Sequence, residues 1–325
     1  MTNGPLQTAA VQHRSPRRRI DGALLLDKPL GISSQTAVTR AKNLLLAAKA
    51  GHTGTLDPMA SGLLPVCFGE ATKFSHLLLN GEKTYAATVR LGVTTTTGDM
   101  EGEVTARARV GVTREQVEAA LQRFRGDIMQ TPPMYSALKH EGQPLYKYAR
   151  AGKELSREPR PVRIVALELV SFGGDELEIT VRCSKGTYIR VLAEDIGREL
   201  GCGACLAGLR RIAVGAFELD HGAITFEELQ RLPQDEREAR LLPVDSLVDT
   251  LPRLDLDPGQ ERQIVTGRGI DWPEALAAGL ARIYGPGRGF LGVVEIQAPG
   301  RIVARRLLAQ GAEVPVAGLE PCAVK

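Results

Sequence analysis

The chain has 325 residues, 43% hydrophobic and 24% charged, ordinary values for a globular protein able to bury a core in one large domain and a smaller one. No apolar run approaches the roughly 20 residues of a membrane-spanning helix. The five cysteines, an odd number in a chain of this length, argue against a disulfide framework and for a reducing cytoplasm.

Net charge is only +3, but it is unevenly spread. Arg123 to Arg163 carries nine Lys/Arg against four acids, whereas Ala223 to Glu261 carries four arginines against ten acids. Such segregation suits a polyanion-binding face with a solvated back.

Residues 1–20 contain no acid, and Arg14, Arg17, Arg18 and Arg19 cluster at their end. Without an amphipathic stripe, residues 1–19 read as a basic disordered tail rather than a transit peptide. Ala23 to Leu26, inside Asp21 to Asp27, predicts a strand that ends in Lys28-Pro29-Leu30-Gly31. Ser33 or Ser34 then caps a helix whose apolar positions Val38, Ala41, Leu45 and Ala48 follow helical spacing.

That helix leads to Gly51-His52-Thr53-Gly54-Thr55-Leu56-Asp57-Pro58-Met59-Ala60-Ser61-Gly62-Leu63-Leu64-Pro65, and Leu63 to Phe68 predicts a buried strand. The three glycines permit turns and close backbone approach, and Pro58 biases Asp57 towards an extended backbone. A carboxylate, a histidine and two threonines thus share one constrained loop. By composition alone it reads as an Asp-Pro turn.

Thr84 to Leu91 and Glu103 to Arg107 read as two strands joined by the polar turn Thr94 to Asp99. Thr113 and Gln116 form a capping box for a helix that buries Val117, Ala120, Leu121 and Phe124 and stops at Gly126. From Gln130 to Gly152, basic residues (Lys139, Lys147, Arg150), aromatic ones (Tyr135, Tyr146, Tyr148) and prolines interleave. Cations suit phosphate and rings suit unstacked bases, so this insertion reads as an RNA contact.

Val162 to Val170 and Leu177 to Cys183 predict strands, the second alternating Leu177, Ile179, Val181 and Cys183 on one face. Cys183-Ser184-Lys185-Gly186-Thr187-Tyr188-Ile189-Arg190 turns at a glycine into a helix with the stripe Ile189, Leu192, Ala193, Ile196 and Leu200, ending at Gly201. Leu209-Arg210-Arg211 approaches a further strand, its arginines expected to meet phosphates. Thr225 and Glu228 form a second capping box, and Leu242 to Pro252 has the composition of a linker. A short helix near Glu261 to Val265 and strands at Phe290 to Ile296 and Arg301 to Leu307 follow. Gly285 to Gly289 precedes a strand rather than a helix and reads as a turn, not a phosphate loop.

Metal chemistry finds little support. Cys202-Gly203-Ala204-Cys205 has no second cysteine pair, and His52 has no companions, whereas a zinc site needs four ligands.

Four of these motifs, in order between about Asp21 and Leu308, resemble the TruB family, the tRNA pseudouridine-55 synthases. The resemblance implies a mixed α/β (α+β) pseudouridine-synthase fold with a mostly antiparallel central sheet and a catalytic cleft. It also implies a division into residues 20–249, carrying an RNA-binding insertion at about 130–160, and a small PUA-like β domain at 250–325. Asp57 is then the nucleophile, paired with Arg190, whose permanent charge keeps a dry carboxylate ionised. Tyr85 lies over the uracil and can help move a proton, Tyr188 closes the other side, His52 wedges near the flipped nucleotide, and Leu209 lines the pocket. Lys28 packs against the aspartate loop.

The family often has a further aspartate where this chain has Thr96, so Asp99 is left to orient Arg190 or a base. The expected reaction needs no cofactor and no metal. The expected partner is the T stem-loop of tRNA, met by a cytoplasmic monomer without an obligatory protein partner. The rival readings are a non-catalytic tRNA-binding or folding protein and a guide-RNA-dependent relative that modifies ribosomal RNA.

Overall fold

The structure, a computed structural model, describes residues 16–309 except 274–275, 287–288 and 298–299. The predicted tail lies mostly outside the described residues, as does part of the predicted turn at 285–289.

The chain opens with β1 (Gly22–Lys28), α1 (Ser34–Leu44), β2 (Ala50–His52) and β3 (Ala60–Phe68). It continues through α2 (Ser75–Asn80), β4 (Lys83–Leu91), β5 (Val93–Thr95), β6 (Val104–Arg107), α3 (Arg114–Arg123) and β7 (Gly126–Gln130). The insertion supplies β8 (Lys139–His140), β9 (Gln143–Pro144) and α4 (Leu145–Arg150). There follow β10 (Arg160–Gly173), β11 (Glu176–Cys183), α5 (Ile189–Glu199), β12 (Ala204–Val214), β13 (Phe217–Glu218), α6 (Phe226–Arg231) and α7 (Gln234–Ala239). A last group comprises β14 (Arg253–Asp255), α8 (Pro258–Val265), β15 (Ile270–Asp271), β16 (Gly279–Gly285), β17 (Gly289–Gln297) and β18 (Arg301–Leu307).

The larger sheet runs β1-β3-β12-β4-β11-β10-β7, with β2 paired to β3 and β13 to β12. Its pairings are antiparallel except β12 against β3. The centre of β3 reads as a continuous apolar run because both its faces are covered. Leu64, Val66 and Phe68 join the main core with Ala37, Val38 and Ala41 of α1. Cys67 faces the other way, into a cluster with Phe74, Leu78 and Val248. α5 covers the main core with Ile189, Leu192, Ala193 and Ile196, as its stripe predicts.

Three expectations change. The helix α1 ends at Leu44, because Leu46 adopts a left-handed backbone (φ 53°), and Ala48 instead donates its N–H to the Arg18 carbonyl. The strand expected from Glu103 to Arg107 does not pair with β4. Gly92, at φ 73°, breaks the chain out of β4, and β5 and β6 then form a separate two-stranded ribbon closed by the polar turn.

The third change concerns Leu242 to Pro252, which is packed chain rather than a loose connection. A 3₁₀ turn at Val244–Val248 buries Val244, Leu247 and Val248 against Phe74, Phe290 and Val293. Linker-like prolines and aspartates make its corners while its apolar residues fill a seam.

The second sheet has the order β14-β16-β17-β18-β15 and its own core of Leu254, Ile264, Ile283, Val294 and Ile302. The sequence reading missed β16. The two sheets meet through the cluster around Phe74 and Phe290, whose ring centroids are 5.5 Å apart. Among the described residues no helix is long and apolar enough to cross a membrane.

Candidate active site

The aspartate loop is tied down on both sides of the carboxylate. Ser33 takes the cap of α1, accepting the Thr36 N–H, which frees Ser34 for another task. The buried Ser34 hydroxyl accepts the Leu56 N–H at 2.7 Å and donates to the Leu56 carbonyl at 2.9 Å. After the aspartate, Gly31 N–H reaches the Pro58 carbonyl and Ala60 N–H reaches that of Asp57. The loop is therefore positioned by α1, β1 and β3 at once, which leaves Asp57 little freedom to wander.

Arg190, in the first turn of α5, is almost fully buried. Its Nη2 lies 3.0 Å from Oδ2 of Asp57, the pairing expected from the motifs. The rest of the guanidinium is held by three other groups. Nη1 donates to the Thr97 carbonyl at 3.0 Å, Nη2 also donates to the Tyr135 carbonyl at 2.8 Å, and Nε faces Asp99 at 3.6 Å. Asp99 is itself oriented, its Oδ1 accepting from the Thr97 hydroxyl and the Glu101 N–H.

A buried guanidinium is tolerable only with its donors and charge answered, and here two carboxylates and two carbonyls answer it. One prior expectation is modified: the Asp57 side chain keeps 42% of its surface exposed. Dryness is therefore not supplied by the residues around Asp57 and has to come from the substrate that covers it.

Two tyrosines lie within electrostatic reach of Asp57. Tyr85, on β4, is buried, which raises its hydroxyl pKa, and the nearby Asp57 adds to the rise. Tyr188, half-buried just before α5, is raised for the same first reason. The carboxamide of buried Gln130 exchanges two hydrogen bonds with the Tyr188 main chain, at 3.0 and 3.3 Å. This amide was not singled out from the sequence, and no local pattern marks it.

His52 is half-buried, and its Nδ1 accepts the Gly54 N–H at 3.2 Å. Burial and then the Arg211 charge lower its pKa, favouring the neutral ring with its proton on Nε2.

Lys28 is fully buried, its Nζ donating to the Pro29 and Ile32 carbonyls at 2.8 Å each. Burial lowers its pKa to about 8, opposed by the charge of Asp57. Leu209 is half-buried on β12 and, with Leu30, Met59, Ala87, Ile179 and Arg210, lines a groove of about 490 Å³ beside the loop.

The expectation that Arg210 and Arg211 both meet phosphates fails for Arg211, which is 1% exposed and beyond the reach of any polyanion. Arg210 makes a two-pronged pair with Asp27 at 3.1 and 2.7 Å. Strand periodicity contained this result: consecutive residues point to opposite faces, so one of two adjacent arginines in a covered strand goes inside.

The insertion presents Lys139, His140, Tyr146, Lys147 and Arg150 to solvent, with the Arg150 guanidinium 5.5 Å from the centre of the Tyr146 ring. Cys202 and Cys205 are buried packing residues, and the Cys205 sulfur lies 3.5 Å from that of Met100. Among the described residues no cluster of three His, Cys, Asp or Glu could hold a metal ion.

Comparison with known proteins follows the same geography. Residues 42–189 match the family model of the TruB family pseudouridylate synthase N-terminal domain. Residues 190–249 match that of the tRNA pseudouridylate synthase B C-terminal domain, and 252–308 that of pseudouridine synthase II TruB, C-terminal. The chain is 54% identical over 304 residues to tRNA pseudouridine synthase B of Methylobacillus flagellatus, covering 93% of this chain and 100% of that one. It is 55% identical over 299 residues to the protein of the same name from Azoarcus sp., covering 92% and 98%. Among solved structures, one of a Cbf5-Nop10-Gar1 complex matches with 26% identity and a TM-score of 0.67, over 85% of this chain and 78% of that one.

Proposed function

The chain belongs to the TruB family of pseudouridylate synthases, and from that premise we propose that it isomerises the T-loop uridine at position 55 of tRNA, with Asp57 as nucleophile. It is a tRNA pseudouridine synthase, an isomerase, with the mixed α/β fold of that class and a PUA-like C-terminal β domain. The observation that carries the residue-level reading is the 3.0 Å contact between buried Arg190 and the half-exposed carboxylate of Asp57.

The reaction exchanges one glycosidic bond for another. The uridine leaves its stack, which costs a few kcal/mol, and Tyr85, Tyr188 and His52 offset that cost. Stacking on an aromatic ring contributes about 1–3 kcal/mol per base. The extruded base covers Asp57, and losing water there strengthens every charge interaction in the site. Asp57 then acts as an anion, by attack or by taking a proton, while the charge of Arg190 faces it. The N1 bond to the ribose breaks, the uracil turns, and C5 forms the new bond. C5 gives up its proton, the Tyr85 oxygen accepting it once the phenol is deprotonated, and N1 gains one. Atoms and charge balance without an outside reagent.

Leu209 supports the face of the turning ring. The exposed cations and rings of the insertion grip the T stem-loop, and the enzyme works as a monomer without a protein partner.

The test is tritium release from 5-tritiated uridine in a bare T stem-loop by the purified protein. Release approaching one equivalent per RNA is expected. Tight RNA binding without release would make the protein a binder only, and release only with added guide RNA and partner proteins would make it the guided relative.

A further inference from the structure

We propose that Arg211 is a positioning residue of this reaction, holding the Tyr85 hydroxyl and the aspartate loop in one register and supplying the positive charge against which Tyr85 takes the C5 proton. The proposal rests on the reading of Tyr85 given above and adds the group that makes that role affordable to a buried phenol.

Arg211 sits on β12 with Tyr85 of β4 as its cross-strand partner on one side and Gly62 of β3 on the other. Partners directly opposite on neighbouring strands are close enough for their side chains to meet. A register irregularity falls between Arg211 and Ala213. Such bulges re-aim side chains next to active sites.

Room has been made for the Arg211 main chain to lie close against β3. Gly62 has φ 99°, and a Cβ there would fall 2.3 Å from the Arg211 carbonyl oxygen. The guanidinium then reaches under the aspartate loop. Its Nε donates to the Leu63 carbonyl at 2.7 Å and its Nη2 to the Gly54 carbonyl at 3.1 Å.

The side chain makes no ion pair among the described residues, in contrast to Arg190. A buried cation without a carboxylate is costly, and carbonyls answer its donors but not its charge. That charge falls on its neighbours instead. It opposes the rise that burial imposes on Tyr85, and it lowers Lys28, Lys83 and His52. Asp57 on its loop and Cys183 on β11 push Tyr85 the other way. Arg211 is thus the group that makes a deprotonated Tyr85 cheaper.

A merely structural strap would cost stability and nothing else, so the experiment reads a pH profile. Single-turnover tritium release from the T stem-loop is followed across pH for the wild type, Arg211→Gln, Arg211→Lys, Tyr85→Phe and the Tyr85→Phe/Arg211→Gln double variant. Removing the cation raises the pKa of Tyr85. Arg211→Gln should therefore lose about tenfold at pH 7 for each unit that the acid limb moves upward, recover as pH rises, and bind the stem-loop within twofold of wild type. Combined with Tyr85→Phe it should add no further loss.

An equal loss at every pH, or the same loss on the Tyr85→Phe background, overturns the proposal. If Arg211→Gln does not fold, Arg211→Lys decides: a limb near that of wild type is expected, and a loss independent of pH overturns the idea. Tritium release at the wild-type rate by Tyr85→Phe removes the proton role of Tyr85, and this proposal with it, while leaving the Asp57 assignment intact.

Discussion

Two buried arginines hold the aspartate loop, Arg190 through the Asp57 carboxylate and Arg211 through the Gly54 carbonyl, and the protein solvates them in opposite ways. Arg190 faces Asp57 and Asp99 and two main-chain carbonyls, so its charge is spent locally. Arg211 has carbonyl acceptors but, among the described residues, no carboxylate, and its field spreads to a tyrosine, a histidine and two lysines. The first arrangement fixes one anion in place. The second leaves a region electropositive, which tunes proton affinities and does not hold a single partner. A paired charge gives geometry, and an unpaired one gives a field.

The harshest way to break this contrast is to remove the anion itself. Asp57→Asn keeps the shape of the loop, and turnover should fall on the order of 10⁴-fold or more while tRNA affinity stays within a few-fold. Full activity in this variant, by tritium release, ends the nucleophile assignment. Next comes Arg190→Ala, which strips the charge facing Asp57. A loss of about 10²–10³ in kcat with little change in KM is expected, and an unchanged rate would show that the aspartate works without its partner.

Asp99→Asn sharpens the comparison by leaving Arg190 with one carboxylate fewer. It should cost about 1–3 kcal/mol in denaturant unfolding and about tenfold in rate, because the guanidinium loses one of its anchors. Stability and rate both equal to wild type would mean that the two carbonyls suffice.

A gentler test concerns the field of Arg211. Lys83, buried on β4, donates to the Leu78, Leu79 and Gly81 carbonyls, and burial with the Arg211 charge lowers its pKa from 10.5 to about 8. A lysine whose folded pKa is depressed holds fewer protons folded than unfolded between those values. Its cost is full below pH 8 and lifts as pH rises towards 10.5. The wild type should therefore gain stability on Lys83→Met across that window, and a constant difference would contradict it. The smallest effect belongs to the half-exposed pair of Arg210 and Asp27, where Arg210→Ala should change stability by no more than about 1 kcal/mol.

The strands and helices with strong periodicity were legible along the chain: the stripe of α5, the alternation in β11 and both capping boxes at Thr113 and Thr225 appear where their patterns put them. Asp57, Tyr85, Tyr188 and Arg190 were named through resemblance to family motifs, and the structure brings Asp57 and Arg190 to 3.0 Å. Less visible was everything that depended on a distant partner. The spacing from Val38 to Ala48 promised a longer helix than α1, and the partners of β4 proved to be β11 and β12 instead of the next strand in the chain. The buried turn at Val244–Val248 carried the composition of a linker because prolines mark corners whether or not the corner is packed.

By itself the sequence determined which chemical groups are available and in what local frame each is held, because caps, turns and amphipathic stripes depend on residues within a turn or two of one another. It put the arginine pair at 210 and 211 only on the approach to a strand, whereas both lie inside β12. Only the tertiary structure decided that Arg211 turns inward to Tyr85 while Arg210 turns to Asp27. It likewise decided that Gln130 and Tyr135 of the insertion brace Tyr188 and Arg190. The reason is register: a slip of one residue exchanges the two faces of a strand, and register is chosen by the whole sheet.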